Sequence, residues 1–192
     1  MSLYQQLLSR AANNNPIRLG LIGAGKFGAM YLAQIPRTPG VQLVGIADLS
    51  PDNARKNLQR VGWDPARLQA KSLDDAVRTN TCFMTDDWTA LVKHPNIDII
   101  VECTGNPIAA VEHCLKAFAH GKHVVNLTVE ADAFCGPLLA KKAKQSNVIY
   151  SLAFGDQPAL ICDLVDWART CGFPVVAAGR GHKWLPHYAE IG

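Results

Sequence analysis

The segment Gly23-Ala-Gly25-Lys-Phe-Gly28 follows the apolar run Ile17–Ile22 and opens a helix-like pattern. Three glycines at this spacing, after a strand and before a helix, suit a dinucleotide. Gly23 permits a tight turn, Gly25 lets backbone approach a pyrophosphate, and Gly28 lets the helix pack close to the strand. Lys26 and Phe27 start that helix, whose free N–H groups and partial positive charge would face the phosphates. Asp48 stands 20 residues beyond Gly28, at the end of the next apolar run, Gln42–Ala47. A carboxylate there can bond both ribose hydroxyls of an adenosine. It also repels a 2′-phosphate, which argues for NAD over NADP, although Ser50, Asn53 and Arg55 follow closely and could soften that preference. Asp48 could instead only cap the next helix.

Three further groups could do chemistry. Cys103, Thr104, Gly105 and Asn106 end a central apolar strand, where a loop of this fold runs beside the nicotinamide; they would also suit a plain turn. Glu130 and Asp132 lie just past one strand end and Asp156 past its neighbour. Adjacent strands are about 4.8 Å apart, so these carboxylates can converge. Hard oxygen ligands of this kind suit Mg²⁺ or Mn²⁺, which could polarise a carbonyl; Asp132 and Asp156 equally suit helix capping. Arg180, His182 and Lys183 follow the last strand and could bind a substrate phosphate or carboxylate, or form a solvated loop. Glu130, Asp156 and Lys183 are the expected catalytic residues. His113 and His120, on one helix with no ligand spacing to another candidate, read as structural, and the four tryptophans as packing area.

The elements that must position these residues alternate. Strands are expected at Ile17–Ile22, Gln42–Asp48, Cys82–Thr85, Asp98–Glu102, His123–Leu127, Val148–Leu152 and Val175–Ala178. Helices are expected at Phe27–Ile35, from Ser50 as N-cap to near Gly62, from Ser72 to Arg78, and at Asp87–Lys93, Ala109–His120, Phe134–Asn147 and Pro158–Cys171. Strands alternating with helices imply an α/β fold, a Rossmann doubly wound parallel sheet with helices on both faces. Residues 1–15 read as an amphipathic helix, 16–157 as the nucleotide domain, and 158–192 as a linking helix, a strand and the start of a truncated second domain for a substrate.

Composition narrows the class. A hydrophobic share of 48% with 18% charge suits a soluble globule. A net charge of +3 without a dense basic run gives nucleic acid no footprint. No apolar stretch nears the roughly 20 residues of a membrane span. Six cysteines without a CxxC pair, scattered through apolar segments, read as buried free thiols in a reducing cytoplasm.

Ile17–Gly28, Gly45-Ile-Ala-Asp48, Ile99–Pro107 and Gly121-Lys-His-Val-Val125 together resemble the nucleotide-binding half of homoserine-dehydrogenase-like oxidoreductases. Val129-Glu-Ala-Asp132, Tyr150–Pro158 and Ala178–Lys183 resemble a subgroup in which this domain precedes a SAF domain and which includes 1-deoxy-D-xylulose-5-phosphate reductoisomerase-like proteins. The resemblance implies an NAD(P)-dependent enzyme acting on a small polar substrate held by a later domain. The reductoisomerase-like branch implies a divalent metal and a phosphorylated sugar. Where homoserine dehydrogenases and related sugar dehydrogenases carry a lysine motif after the Gly-Lys-His strand, this chain has Asn126-Leu-Thr-Val-Glu130, which counts against a lysine-assisted reaction. A homo-oligomer is expected. The competing readings are a dinucleotide-binding module without catalysis of its own and, with less support, a CoA- or nucleotide-sensing regulator.

Overall fold

Short apolar runs rich in Ile, Leu and Val form the strands, and capped amphipathic runs form the helices between them. The computed structural model describes residues 2–153 and 157–179. These fall into two compact units, Met1–Leu152 and Ala153–Gly192.

In the first unit α1 (Leu3–Ala12) precedes β1 (Ile17–Ile22), α2 (Lys26–Leu32), β2 (Val41–Ala47) and α3 (Pro51–Arg60). Next come α4 (Leu73–Thr79), β3 (Phe83–Thr85), α5 (Trp88–Lys93), β4 (Ile99–Glu102) and α6 (Pro107–Ala119). The unit closes with β5 (His123–Asn126), α7 (Val129–Gln145) and β6 (Tyr150–Leu152). Every pairing between these strands is parallel, in the order β3-β2-β1-β4-β5-β6. This is the Rossmann order, with its reversal between β1 and β4.

The central strands are buried on both faces. One apolar layer joins Leu21, Ile46 and Val101 to Leu32 and Leu58 of α2 and α3. The other joins Val44, Ile100 and Val124 to Leu91, Ala117 and Leu139 of α5, α6 and α7. Such two-sided burial is what lets continuous apolar strands exist in water.

Three expectations are corrected. Ser50 precedes α3 but makes no side-chain cap; its N–H donates to Asp48 Oδ1 instead, at 2.9 Å. The helix expected from Phe134 begins at Val129 and bends at Cys135, because Pro137 has no N–H for the Ala133 carbonyl. Among the described residues Val175–Ala178 forms no strand. An apolar run alone does not make one, since its N–H and C=O groups need a neighbouring ladder. The second unit shows α8 (Gln157–Thr170), whose Leu164 and Trp167 are exposed.

Candidate functional site

Parallel strands deliver their carboxyl ends to one edge, and where the strand order reverses the connections leave in opposite directions and open a crevice. A cavity of about 510 Å³ lies there. Gly23, Gly25, Asp48, Cys103, Thr104 and Asn106 line it, together with Trp88 and His113.

The glycine loop is held by sterics and by Asp48. At Gly23 φ is +92°, and a Cβ would meet the Cys103 carbonyl carbon and the Thr104 nitrogen at 2.8 Å. At Gly28 a Cβ would collide with the Gly23 carbonyl oxygen. Gly25 is different: nothing lies within 4 Å of where its Cβ would be, so the missing side chain leaves open space for a ligand. Asp48 Oδ2 accepts the Ala24 N–H at 2.8 Å, and Asn57 Nδ2 donates to the Ala24 carbonyl at 3.1 Å. The first turn of α2 then contributes N–H groups with no partner inside the helix, which suits phosphate oxygens. Lys26 is exposed at the start of that turn.

The loop after β4 is organised by Glu102, a residue fully buried at the strand's end. Its Oε1 accepts from Thr104 Oγ1 at 2.5 Å, from the Thr104 N–H at 3.3 Å and from His113 Nδ1 at 3.2 Å. Its Oε2 accepts from Thr128 Oγ1. Thr128 Oγ1 in turn accepts the Gly105 N–H at 3.0 Å, and Thr104 Oγ1 accepts that of Asn106 at 3.3 Å. Asn106 caps α6 through its Oδ1, which accepts from Ile108 and Ala109. The loop's three successive N–H groups are thus consumed inside the protein. Among the described residues no donor reaches the Thr104 or Gly105 carbonyl. This loop offers acceptors, which suit hydroxyl or amide hydrogens rather than phosphate.

His113 was expected to be only structural, yet it lines the cavity, packs tilted against Trp88 at 4.5 Å between ring centroids, and bonds Glu102. Glu102 and Thr128 were missed. The signal was present: a charged residue ending an apolar strand is almost never fully buried unless it is paired. Cys103 is buried, and burial together with the Glu102 carboxylate pushes its thiol far above the ordinary range. It therefore acts as a small apolar wall and not as a nucleophile.

Of the expected metal cluster, Glu130 and Asp132 belong to the described residues, among which no three His, Cys, Asp or Glu side chains converge, and Asp156 lies outside them. Glu130 and Asp132 both lie in the first turn of α7, two residues apart, and such neighbours do not share a helix face. Asp132 accepts the Tyr150 hydroxyl at 2.9 Å and fills the space left by Gly136. Asp156, Arg180, His182 and Lys183 lie outside the described residues, as does Trp184. Of the six free cysteines Cys82, Cys103 and Cys114 are buried, but Cys162 and Cys171 are exposed, against expectation.

Comparison with known proteins agrees with this geometry. A family model described as the NAD-binding domain of homoserine dehydrogenase matches residues 23–152. A second, described as the catalytic domain of oxidoreductase DRL, matches residues 155–191. The chain is 32% identical over 139 residues to a homoserine dehydrogenase of Methylobacillus glycogenes, covering 68% of this chain and 30% of that protein. It is 27% identical over 136 residues to that of Pseudomonas aeruginosa, covering 70% and 28%. Among solved structures, a homoserine dehydrogenase from Thiobacillus denitrificans superposes with a TM-score of 0.56 at 25% identity, covering 71% of this chain and 29% of that one. The chain thus spans under a third of the length of these relatives.

Proposed function

The chain belongs to the family of homoserine dehydrogenase NAD-binding domains, and from that premise we propose that it is the cofactor-binding part of an oxidoreductase moving hydride between a nicotinamide dinucleotide and a small polar substrate. The observation that carries this reading is the cavity at the strand-order reversal, with an open glycine on one side and an acceptor-bearing loop on the other. The residues fit the cofactor. Gly23, Gly25 and Gly28 with the first turn of α2, including Lys26 and Phe27, would cradle the pyrophosphate. Asp48 would hold the adenosine ribose, and Cys103, Thr104, Gly105 and Asn106 would border the nicotinamide half. The cofactor itself supplies the hydride chemistry.

NAD is the preferred form in this reading. With Asp48 on the ribose, its carboxylate would repel a 2′-phosphate, and Arg55, which could offset it, is tied to the Leu68 carbonyl at 2.7 Å. The substrate would be held by a following domain, which the match of residues 155–191 to a catalytic domain supports. Asp156 and Lys183 would belong to that region. Glu130 is exposed in the first turn of α7 and is the remaining acidic candidate near the sheet edge. The free thiols support a cytoplasmic setting. Ile108 on α6 and Phe134 on α7 are apolar and exposed, which supports an oligomer.

Calorimetric titration of the chain with NAD⁺, NADH, NADP⁺ and NADPH, with and without Mg²⁺, tests the reading. Saturable NADH binding, at least tenfold weaker NADPH binding and no effect of Mg²⁺ are expected. Absence of any dinucleotide binding would overturn it.

A further inference from the structure

We propose that Glu102 is a positioning residue for the nicotinamide side of the cleft, acting through Thr104, Thr128 and His113. The inference deepens the dinucleotide-binding reading and rests on it.

Glu102 joins three segments at the carboxyl end of the sheet. Through Thr104 it holds its own loop, through Thr128 the start of α7, and through His113 the second turn of α6. A carboxylate only accepts hydrogen bonds, and four donors converge on this one. Each donor's state follows. His113 Nδ1 faces the carboxylate as a donor, and the neutral tautomer with its hydrogen there would present Nε2 as an acceptor. Among the described residues that nitrogen has no protein partner, and the side chain is only 7% exposed. Thr128 gives its hydrogen to Glu102, which leaves its oxygen lone pairs for the Gly105 N–H. Gly105 is then held at φ +69° although nothing crowds it within 4 Å. The Gly105 position is therefore tied by hydrogen bonds that lead through Thr128 to the buried carboxylate, with no side-chain crowding of its own. Thr104 and His113 both line the cleft, and among the described residues neither the Thr104 carbonyl nor His113 Nε2 has a protein partner, so this wall of the cleft can present acceptors.

An acceptor array recognises hydroxyl and amide hydrogens. The half of the cofactor that offers them here is the nicotinamide nucleoside, with its ribose hydroxyls and carboxamide. ADP lacks that half. Losing the Glu102 network should consequently weaken NADH and leave ADP nearly untouched.

The test measures dissociation constants for NADH and for ADP on the full chain, with thermal unfolding as a control on the fold. Glu102→Gln places an amide donor among four donors and is expected to weaken NADH at least tenfold while changing ADP less than threefold. Thr128→Val removes one hydroxyl at nearly constant volume and decides the matter if Glu102→Gln does not fold. It should weaken NADH about fivefold, and Thr128→Ser should restore binding. Equal weakening of NADH and ADP by Thr128→Val would overturn the inference, because the network would then be scaffold only; so would unchanged NADH binding. Wild-type protein that binds neither nucleotide would overturn the dinucleotide reading and this inference with it, an outcome distinct from wild-type binding that Thr128→Val leaves intact.

Discussion

The two loops facing each other across the cleft are built on opposite principles. The Gly23–Gly28 loop is constrained by space: a Cβ at Gly23 or Gly28 would strike backbone of the chain itself. In the Thr104–Asn106 loop hydrogen bonds take over beyond the contact with Gly23: Gly105 has open surroundings, and the Thr104 and Gly105 N–H groups go to Glu102 and Thr128. One loop leaves N–H groups for phosphate oxygens, and the other consumes its N–H groups and leaves carbonyls. Two strand ends of one sheet thus acquire opposite hydrogen-bonding polarity. A dinucleotide, anionic in the middle and hydroxyl-rich at its ends, matches that division.

The largest expected effect comes from breaking the steric loop. Gly28→Ala forces a methyl group against the Gly23 carbonyl and is expected to destabilise the domain by about 3 kcal/mol and abolish NADH binding. Thermal unfolding and NADH titration check both. Gly105→Ala is the matched change in the other loop. With open space around it, only the left-handed backbone is penalised, so about 1 kcal/mol of stability and less than threefold in NADH affinity are expected. Equal losses at the two glycines would erase the distinction drawn here.

Asp48→Ala removes both the proposed ribose partner and the acceptor that holds the Ala24 N–H. It should weaken NADH at least tenfold, about 1.4 kcal/mol, and narrow the gap to NADPH. Glu130→Ala, at an exposed position outside the cleft, should change NADH affinity less than twofold.

The scaffold shared by both loops gives a smaller effect, read by pH. Burial pushes the Cys82 and Cys114 thiols from 9.0 up to about 12. The unfolded chain releases these protons first, so unfolding gains on folding as pH rises from about 9 toward 12, and none of this loss appears below pH 9. Melting temperatures at pH 8 and pH 10 should differ in that direction. Alkylation at pH 8 should label Cys162 and Cys171 well before Cys103, whose buried thiol stays protonated.

Most strands and helices of the first unit were legible because local patterns announce them: apolar runs of fixed length, Ser72 as a cap, and glycines where helices stop. The start of α7 was not: the expected helix already ran through Pro137 from Phe134, and the turn 129–133 before the bend at Cys135 has no side-chain cap to announce it. The pairing of Glu130 with Asp132 in one cluster was not legible either, and Asp156 lies outside the described residues. Strand spacing says that Glu130 and Asp132 lie near one edge, but helical rotation turns them apart and Tyr150 occupies Asp132.

By itself the sequence determined the fold class, the glycine turn and the acid at the end of β2, since each follows from steric or periodic rules acting over a few neighbours. The Glu102 network was decided only by tertiary structure. Its partners come from three segments as far as 26 residues apart in the chain, and they meet only when parallel strands bring their ends together. Whether a buried carboxylate is a liability or an organiser depends on which donors that folding supplies.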